Sequence, residues 1–133
     1  MTTMTENSDK PLVLVADDDP DILSLVSLRL EKAGYEVVSA NDGREAYDAV
    51  QERRPDAAIL DVRMPEMDGL ELIRSIRADE QSKDMLVIAL SARVREANIA
   101  EGLEAGADEY MQKPFNGKQL IELVEAKLPT KSS

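Results

Sequence analysis

Residues 12–19 read Leu12-Val13-Leu14-Val15-Ala16-Asp17-Asp18-Asp19, an apolar run that is followed at once by consecutive aspartates. A short, continuous apolar run is typical of a strand that is buried on both faces, as in parallel sheets covered by helices on each side. Carboxylates directly after such a strand lie at its carboxyl end, which is where open parallel sheets bind their ligands. This stretch therefore predicts both a fold class and the position of a site.

The same kind of run recurs, with variations, along the rest of the chain, and a helical pattern follows each run. The further predicted strands are Glu36 to Ser39, Ala57 to Leu60, Met85 to Leu90 and Glu109 to Gln112. Right-handed crossovers restrict β/α units of this kind to a doubly wound, flavodoxin-like (βα)5 fold with the common strand order 2-1-3-4-5. We predict an α/β fold with a five-stranded parallel sheet in that order and a ligand crevice between strands one and three.

Residues typical of helix ends divide the chain between these strands. Proline suits a first helical turn, and an acceptor followed three residues later by Glu or Gln forms a capping box. The predicted helix starts are Pro20, Asp68 with Glu71, and Asn116 with Gln119. Glycine in the left-handed conformation and proline end helices, and the predicted ends are Gly34, Gly106 and Pro129.

The length of 133 residues predicts one domain. We expect the fold to span residues 11–129, with a flexible N-terminal tail at 1–10 and a C-terminal tail at 130–133. No output domain follows Leu128, which favours a stand-alone unit. The first ten residues are polar, and no apolar run approaches the roughly 18 residues that span a bilayer. A soluble, cytoplasmic protein without a membrane partner is expected.

The composition excludes several classes of chemistry. The sequence contains no Cys and no His, which excludes disulfides, thiolate or imidazole zinc sites, and Ser/His/Asp triads. A net charge of −11 repels a phosphate backbone, and aromatic residues make up only 3%, so direct nucleic-acid binding is not expected. Any chemistry must come from carboxylates, hydroxyls, amines or a hard metal that is bound through oxygen.

Two sets of carboxylates fall at the predicted crevice. Asp17, Asp18 and Asp19 follow strand one, and Asp61 follows strand three. A dry cluster of like charges about 4 Å apart costs on the order of 4 kcal/mol per pair, and a divalent cation relieves this repulsion. Oxygen ligands favour Mg²⁺ or Mn²⁺. Alternatively, the aspartates form a solvated loop and Asp61 a turn; for Asp19 we favour a helix N-cap.

Two further side chains follow the remaining strands. Ser91 comes after strand four, and Lys113 comes after strand five. By default Ser91 would cap the fourth helix and Lys113 would be a surface lysine. Their place at the same edge of the sheet favours another role, because a hydroxyl and an ammonium can both donate to a phosphoryl oxygen.

These motifs, taken in order, resemble the receiver family of two-component response regulators from Leu12 to Leu128. The matching pieces are Val15-Ala16-Asp17-Asp18-Asp19-Pro20, Leu60-Asp61-Val62-Arg63-Met64-Pro65 with Asp68-Gly69, Ala89-Leu90-Ser91-Ala92, and Tyr110-Met111-Gln112-Lys113-Pro114-Phe115. The resemblance implies phosphotransfer from a histidine kinase or a histidine phosphotransfer protein, slow autodephosphorylation, and signalling by binding protein partners. Because the chain has no histidine, the donor must be another molecule.

The resemblance also implies a role for each site residue. Asp61 is the phosphoacceptor, and Asp17, Asp18, Asp61 and the backbone carbonyl of Arg63 hold Mg²⁺. Lys113 contacts the phosphoryl group, and Ser91 and Tyr110 form the switch pair. Arg63 and Arg93 stand at positions that influence dephosphorylation, although both could instead form solvent-screened surface pairs.

The output surface is expected on the fourth helix, the fifth strand and the fifth helix. Ile99 and Leu103 are four residues apart and form an apolar stripe there, unless both pack inward.

Two other functions remain open. Asp17 and Asp19 have the spacing of a haloacid-dehalogenase-like phosphatase, and the fold would also suit a flavodoxin-like electron carrier. The former lacks a later acidic pair, and the latter lacks a hydroxyl-rich loop and aromatic residues.

Overall fold

We analysed a computed structural model of the chain. It describes residues 10–63, 67, 69–91 and 96–129, and of residues 96–99 and 102 only the backbone. Of the predicted tails at 1–10 and 130–133, only Lys10 lies within the described residues. The strands are β1 (Leu12–Ala16), β2 (Glu36–Ala40), β3 (Ala57–Asp61), β4 (Leu86–Ser91) and β5 (Glu109–Gln112). The helices are α1 (Pro20–Lys32), α2 (Gly43–Arg53), α3 (Gly69–Ala78), α4 (Glu96–Ala105) and α5 (Gly117–Lys127).

All five strands are parallel, and their order is β2-β1-β3-β4-β5. The predicted fold class and strand order are confirmed. Predicted and observed strand ends differ by at most one residue, because β2, β3 and β4 each extend one residue further and β4 begins one residue later. Since β3 includes Asp61 and β4 includes Ser91, both residues are the last of their strands.

The side chains of the central strands alternate between two cores, one on each face of the sheet. Leu14 and Leu60 belong to the core beneath α2, α3 and α4. Val15 and Ile59 belong to the core beneath α1 and α5. Apolar side chains on both faces explain why the central strands appear in the sequence as continuous apolar runs.

The helix ends follow the predicted residue types. Asp19 caps α1, and its side chain accepts a hydrogen bond from the amide of Asp21 at 2.9 Å. Gly34 and Gly106 have φ angles of +103° and +124°, just after α1 and α4 end. Asn116 caps α5, which ends two residues before Pro129, and Asp68 lies outside the described residues. The N-cap interpretation of Asp19 is therefore confirmed.

The start of α2 was not predicted. Asp42 caps α2 and accepts a hydrogen bond from the amide of Glu45 at 2.8 Å, while the Glu45 side chain accepts one from the amide of Asn41 at 2.7 Å. This reciprocal arrangement fixes the first turn of α2. In the described part of the chain, no helix is long and apolar enough to cross a membrane.

Candidate functional site

Two buried aspartates lie side by side at the carboxyl edge of the sheet. β1 and β3 are paired, so Asp17, which follows β1, lies beside Asp61, which ends β3. Asp17 has no exposed surface and Asp61 is 6% exposed. Backbone amides hold one oxygen of each: Asp19 donates to Oδ1 of Asp17 at 2.9 Å, and Arg63 donates to Oδ1 of Asp61 at 3.1 Å. The other oxygen of each carboxylate remains for a cation.

Lys113 places its ammonium group beside these two oxygens. It follows β5, and its side chain reaches over the end of β4 to the aspartates. Its ammonium nitrogen lies 2.8 Å from Oδ2 of Asp17 and 3.2 Å from Oδ2 of Asp61. The side chain of Lys113 is only 15% exposed. Lys113 is therefore a largely buried partner of both carboxylates, and the default interpretation as a surface lysine is wrong.

Asp18 adds a third carboxylate at the exposed side of this pair. One carboxylate oxygen from each of Asp17, Asp18 and Asp61 lies within 4.8 Å of the others. Although Lys113 contacts Oδ2 of Asp17, no well-directed hydrogen bond reaches that buried oxygen from the described residues. An oxygen-only donor set with one accessible side suits Mg²⁺, which keeps several waters when it binds to proteins. The residues present fit a hard divalent cation.

Burial and neighbouring charges shift the two central pKa values. Burial raises the pKa of Asp61, and the charge of Asp17 adds to this rise; the amide of Arg63 and the ammonium of Lys113 oppose it without cancelling it. Burial disfavours the charged form of Lys113, but its close contact with Asp17 and the charges of both aspartates outweigh this and raise its pKa. A divalent cation beside Asp61 would lower the pKa of that carboxyl again.

Ser91 and Tyr110 lie near this cluster on the next two strands. Ser91 is buried and ends β4, one residue beyond Leu90, which pairs with Asp61. Its carbonyl accepts a hydrogen bond from the amide of Lys113 at 2.7 Å. The described part of α4 begins at Glu96, so a capping role of Ser91 stays a prediction from the sequence. Tyr110 lies on β5, half-buried against the core beneath α2, α3 and α4.

The two arginines differ in what the structure describes. Arg63 is exposed, and its backbone amide donates to Asp61. Arg93 lies outside the described residues, as do Met64, Pro65 and Ala92 of the quoted motifs.

Sequence reasoning missed the role of Gly69. A β-carbon at Gly69 would lie 2.4 Å from the carbonyl oxygen of Asp61 and 2.8 Å from Cα of Val62. The first turn of α3 therefore packs directly on the end of β3, which only glycine permits. The sequence shows a glycine in the connection after the strand that ends in Asp61, at Gly69. Its spacing from Asp61 does not by itself reveal a close backbone contact.

Comparisons with known proteins relate the chain to one family. Residues 13–125 match the family model described as response regulator receiver domain. The chain is 43% identical over 123 residues to the transcriptional regulatory protein PrrA of Mycobacterium tuberculosis, which covers 92% of the chain and 52% of PrrA. The chain spans about half the length of the curated relatives it matches.

Two solved structures are also similar to the chain. The chemotaxis response regulator CheY4 of Vibrio cholerae shares 37% identity at a TM-score of 0.84, over 90% of this chain and 99% of that one. The receiver domain of the sensor histidine kinase PA1611 of Pseudomonas aeruginosa shares 30% identity at a TM-score of 0.80, over 88% and 96%. The PA1611 structure has a magnesium ion coordinated in its active site cleft. None of these matches supports the phosphatase alternative.

Proposed function

The chain belongs to the family of response regulator receiver domains, and on that premise we propose that Asp61 accepts a phosphoryl group from a phosphohistidine donor. As a receiver domain the chain is a signalling phosphoacceptor; the assignment of the acceptor to Asp61 is the proposal. One observation carries it. Asp61 is the carboxylate that ends a central strand with one oxygen held by a backbone amide and the other facing Lys113.

The transfer is a displacement at phosphorus. A carboxylate oxygen of Asp61 forms a bond to phosphorus while the bond between phosphorus and the donor imidazole nitrogen breaks, and that nitrogen keeps the electron pair. The product is an acyl phosphate. Lys113 stabilises negative charge on the phosphoryl oxygens, and the hydroxyl of Ser91 donates a hydrogen bond to one of them.

We assign the cation site to Asp17, Asp18, Asp61 and the backbone carbonyl of Arg63. Receiver domains bind Mg²⁺ in an acidic pocket, and the three carboxylates here form such a pocket. Mg²⁺, or Mn²⁺ through the same ligands, would neutralise charge on the carboxylates and the incoming phosphoryl group. The burial of Asp17 and Asp61 strengthens this preference, because the single positive charge of Lys113 cannot balance two buried carboxylates.

The partners follow from the same chemistry. Response regulators partner with histidine kinases, and these 133 residues contain no histidine that could carry the phosphoryl group, so the proposed donor is a histidine kinase or a histidine phosphotransfer protein. Water attack on the acyl phosphate then resets the domain, at a rate that Arg63 and Arg93 modulate. A cytoplasmic location, a stand-alone domain between residues 11 and 129, and the absence of direct nucleic-acid binding remain predictions from the sequence.

We place the output surface on α4, β5 and α5. Ser91 turns toward the phosphoryl group, and Tyr110 fills the space it leaves, which biases this face between two arrangements. Leu103 on α4 is 46% exposed, which favours a contact role over inward packing for this residue. The side chain of Ile99, the other member of the predicted stripe, lies outside the described residues.

Labelling with acetyl phosphate and Mg²⁺ tests the acceptor assignment. The wild-type protein should gain one phosphoryl group by mass, and Asp61→Asn should gain none, because an amide cannot form an acyl phosphate. Asp56→Asn, at the opposite end of β3, is the matched control, since its amide oxygen can still accept the hydrogen bond from Leu12. Labelling of Asp61→Asn at the wild-type rate would overturn the assignment.

A further inference from the structure

The first residue of α2 packs directly on the backbone of the connection between β3 and α3. A β-carbon at Gly43 would lie 1.8 Å from the carbonyl oxygen of Met67, 2.6 Å from its carbonyl carbon and 2.7 Å from its Cβ. Gly43 is buried, and its φ is not in the left-handed region, so its backbone conformation is one that alanine also adopts. Close contact, and not conformational freedom, requires glycine here.

Gly117 provides an internal comparison. It is the first residue of α5, as Gly43 is of α2, and each follows a capping residue. The three atoms that a β-carbon at Gly117 would approach most closely all belong to the side chain of Arg29, with Nε at 2.5 Å and Cδ at 2.8 Å. A flexible arginine can move aside, whereas the backbone of Met67 cannot move without the rest of its connection.

The connection that Gly43 supports begins and ends at the proposed phosphoacceptor. At its start, the amide of Arg63 donates to Asp61, and at its end the amide of Gly69 donates to the carbonyl of Val62 at 2.9 Å. Met67 lies between these two anchors. Met67 is two residues from Gly69, whose amide is bound to Val62, the residue that follows Asp61.

Local hydrogen bonds order the segment that leads into α2. The reciprocal hydrogen bonds around Asp42 and Glu45 hold its first turn in place. The carbonyl of Ala40, which ends β2, accepts a hydrogen bond from the amide of Asp17 at 3.1 Å. The segment that leads to Gly43 is therefore hydrogen-bonded to the backbone of Asp17. Gly43 itself contacts Met67, which lies in the connection that follows Asp61.

We propose that Gly43 is a positioning residue for the cation site: its lack of a side chain lets α2 brace the connection that holds Asp61 and the carbonyl of Arg63. This inference rests on the proposed function, since it concerns the same site. It assigns no chemical step to Gly43. The contact acts through Met67 on the placement of the cation ligands.

The test compares Gly43→Ala with Gly117→Ala, the same substitution at the same helical position. Mg²⁺ affinity is measured by isothermal titration calorimetry, and folding by urea denaturation without divalent ions. Gly43→Ala should bind Mg²⁺ about tenfold more weakly, in the range found when residues that orient metal ligands are changed. Gly117→Ala should bind Mg²⁺ with wild-type affinity. A purely structural role would lower the unfolding free energy of Gly43→Ala and leave the Mg²⁺ affinity of its folded form unchanged, which would overturn the proposal.

If Gly43→Ala does not fold, the wild-type protein decides the question. In a Mg²⁺ titration followed by nuclear magnetic resonance, the amides of Gly43 and Met67 should shift with the same midpoint as that of Arg63, while the amide of Gly117 should not. No shift at Gly43 and Met67 would overturn the inference. Failure of the proposed function is distinguishable, because then the wild-type protein would show neither Mg²⁺ binding nor labelling of Asp61.

Discussion

The ammonium of Lys113 lies 2.8 Å from Oδ2 of Asp17, a carboxylate with no exposed surface. Its distance to Asp61 is longer, at 3.2 Å. Lys113 is therefore the counterion of Asp17 as well as a neighbour of the proposed phosphoacceptor. The side chain proposed to contact the phosphoryl group also supports the folded state.

Lys113→Ala should destabilise the protein. Removing one partner of a buried ion pair leaves an uncompensated charge, which costs about 3 kcal/mol in comparable cases. Urea denaturation without divalent ions measures the loss. Lys127→Ala is the control, because Lys127 pairs with Glu109 at 3.1 Å in a more exposed setting and should cost between about 0 and 1 kcal/mol. Equal losses in the two variants would contradict the role of Lys113 as a buried counterion.

Asp18→Ala should separate cation binding from stability. Asp18 is the exposed member of the carboxylate cluster, so its removal should weaken Mg²⁺ affinity about 10- to 100-fold while the unfolding free energy without Mg²⁺ hardly changes. Calorimetric titration measures the affinity. Asp21→Ala, which removes an exposed carboxylate from the first turn of α1, should retain wild-type affinity. Unchanged Mg²⁺ binding in Asp18→Ala would remove Asp18 from the ligand set.

The fold could be predicted from the sequence because its strongest signals are local. Continuous apolar runs mark the central strands, and the residue after each run lies at the same edge of a parallel sheet. That rule alone places Asp17, Asp61 and Lys113 together, as the structure does. Helix ends at Asp19 and Gly34 followed from residue type for the same reason.

Contacts between distant segments could not be predicted in this way. The preference of Lys113 for Asp17 depends on the path of its side chain across β4, and the packing of Gly43 on Met67 depends on the placement of a loop. Neither leaves a periodic pattern in the sequence. The cap at Asp42 was readable in principle, since Glu45 follows it three residues later, as in a capping box.

Arg77→Lys should show the strength of a second long-range contact. The guanidinium of Arg77 donates to the carbonyls of Gly106 at 2.8 Å, Lys83 at 2.7 Å and Met85 at 2.6 Å, and to the carboxylate of Asp108 at 2.9 Å. It thereby joins the end of α3 to the residues after α4 and before β4. Lysine keeps the charge but not the planar fork, so we expect a loss of about 1.5 to 3 kcal/mol by urea denaturation.

Arg44→Lys is the control for that measurement. Arg44 forms an exposed pair with Asp48 at 3.6 Å, and the same substitution there should change stability by less than about 0.5 kcal/mol. If Arg77→Lys were as mild as Arg44→Lys, the four hydrogen bonds of Arg77 would not contribute to holding these segments together.

Ser27→Ala should stabilise the protein, in contrast to the other substitutions. The hydroxyl of Ser27 on α1 is buried and has no hydrogen-bond partner among the described residues. An unpaired buried hydroxyl costs about 1 to 3 kcal/mol, and alanine is also the better helix former by roughly 0.5 kcal/mol. Ser24→Ala on the same helix is the control, because Ser24 is exposed and its replacement gains only the helix propensity. The difference between the two variants therefore measures the cost of the unpaired hydroxyl. In parallel urea titrations we expect the gain in unfolding free energy to be about 1 kcal/mol larger for Ser27→Ala than for Ser24→Ala. This difference allows for the small loss of packing from the missing oxygen. Equal gains, or a loss in Ser27→Ala, would mean that this hydroxyl is hydrogen-bonded in solution and contributes to the stability of α1 on the sheet.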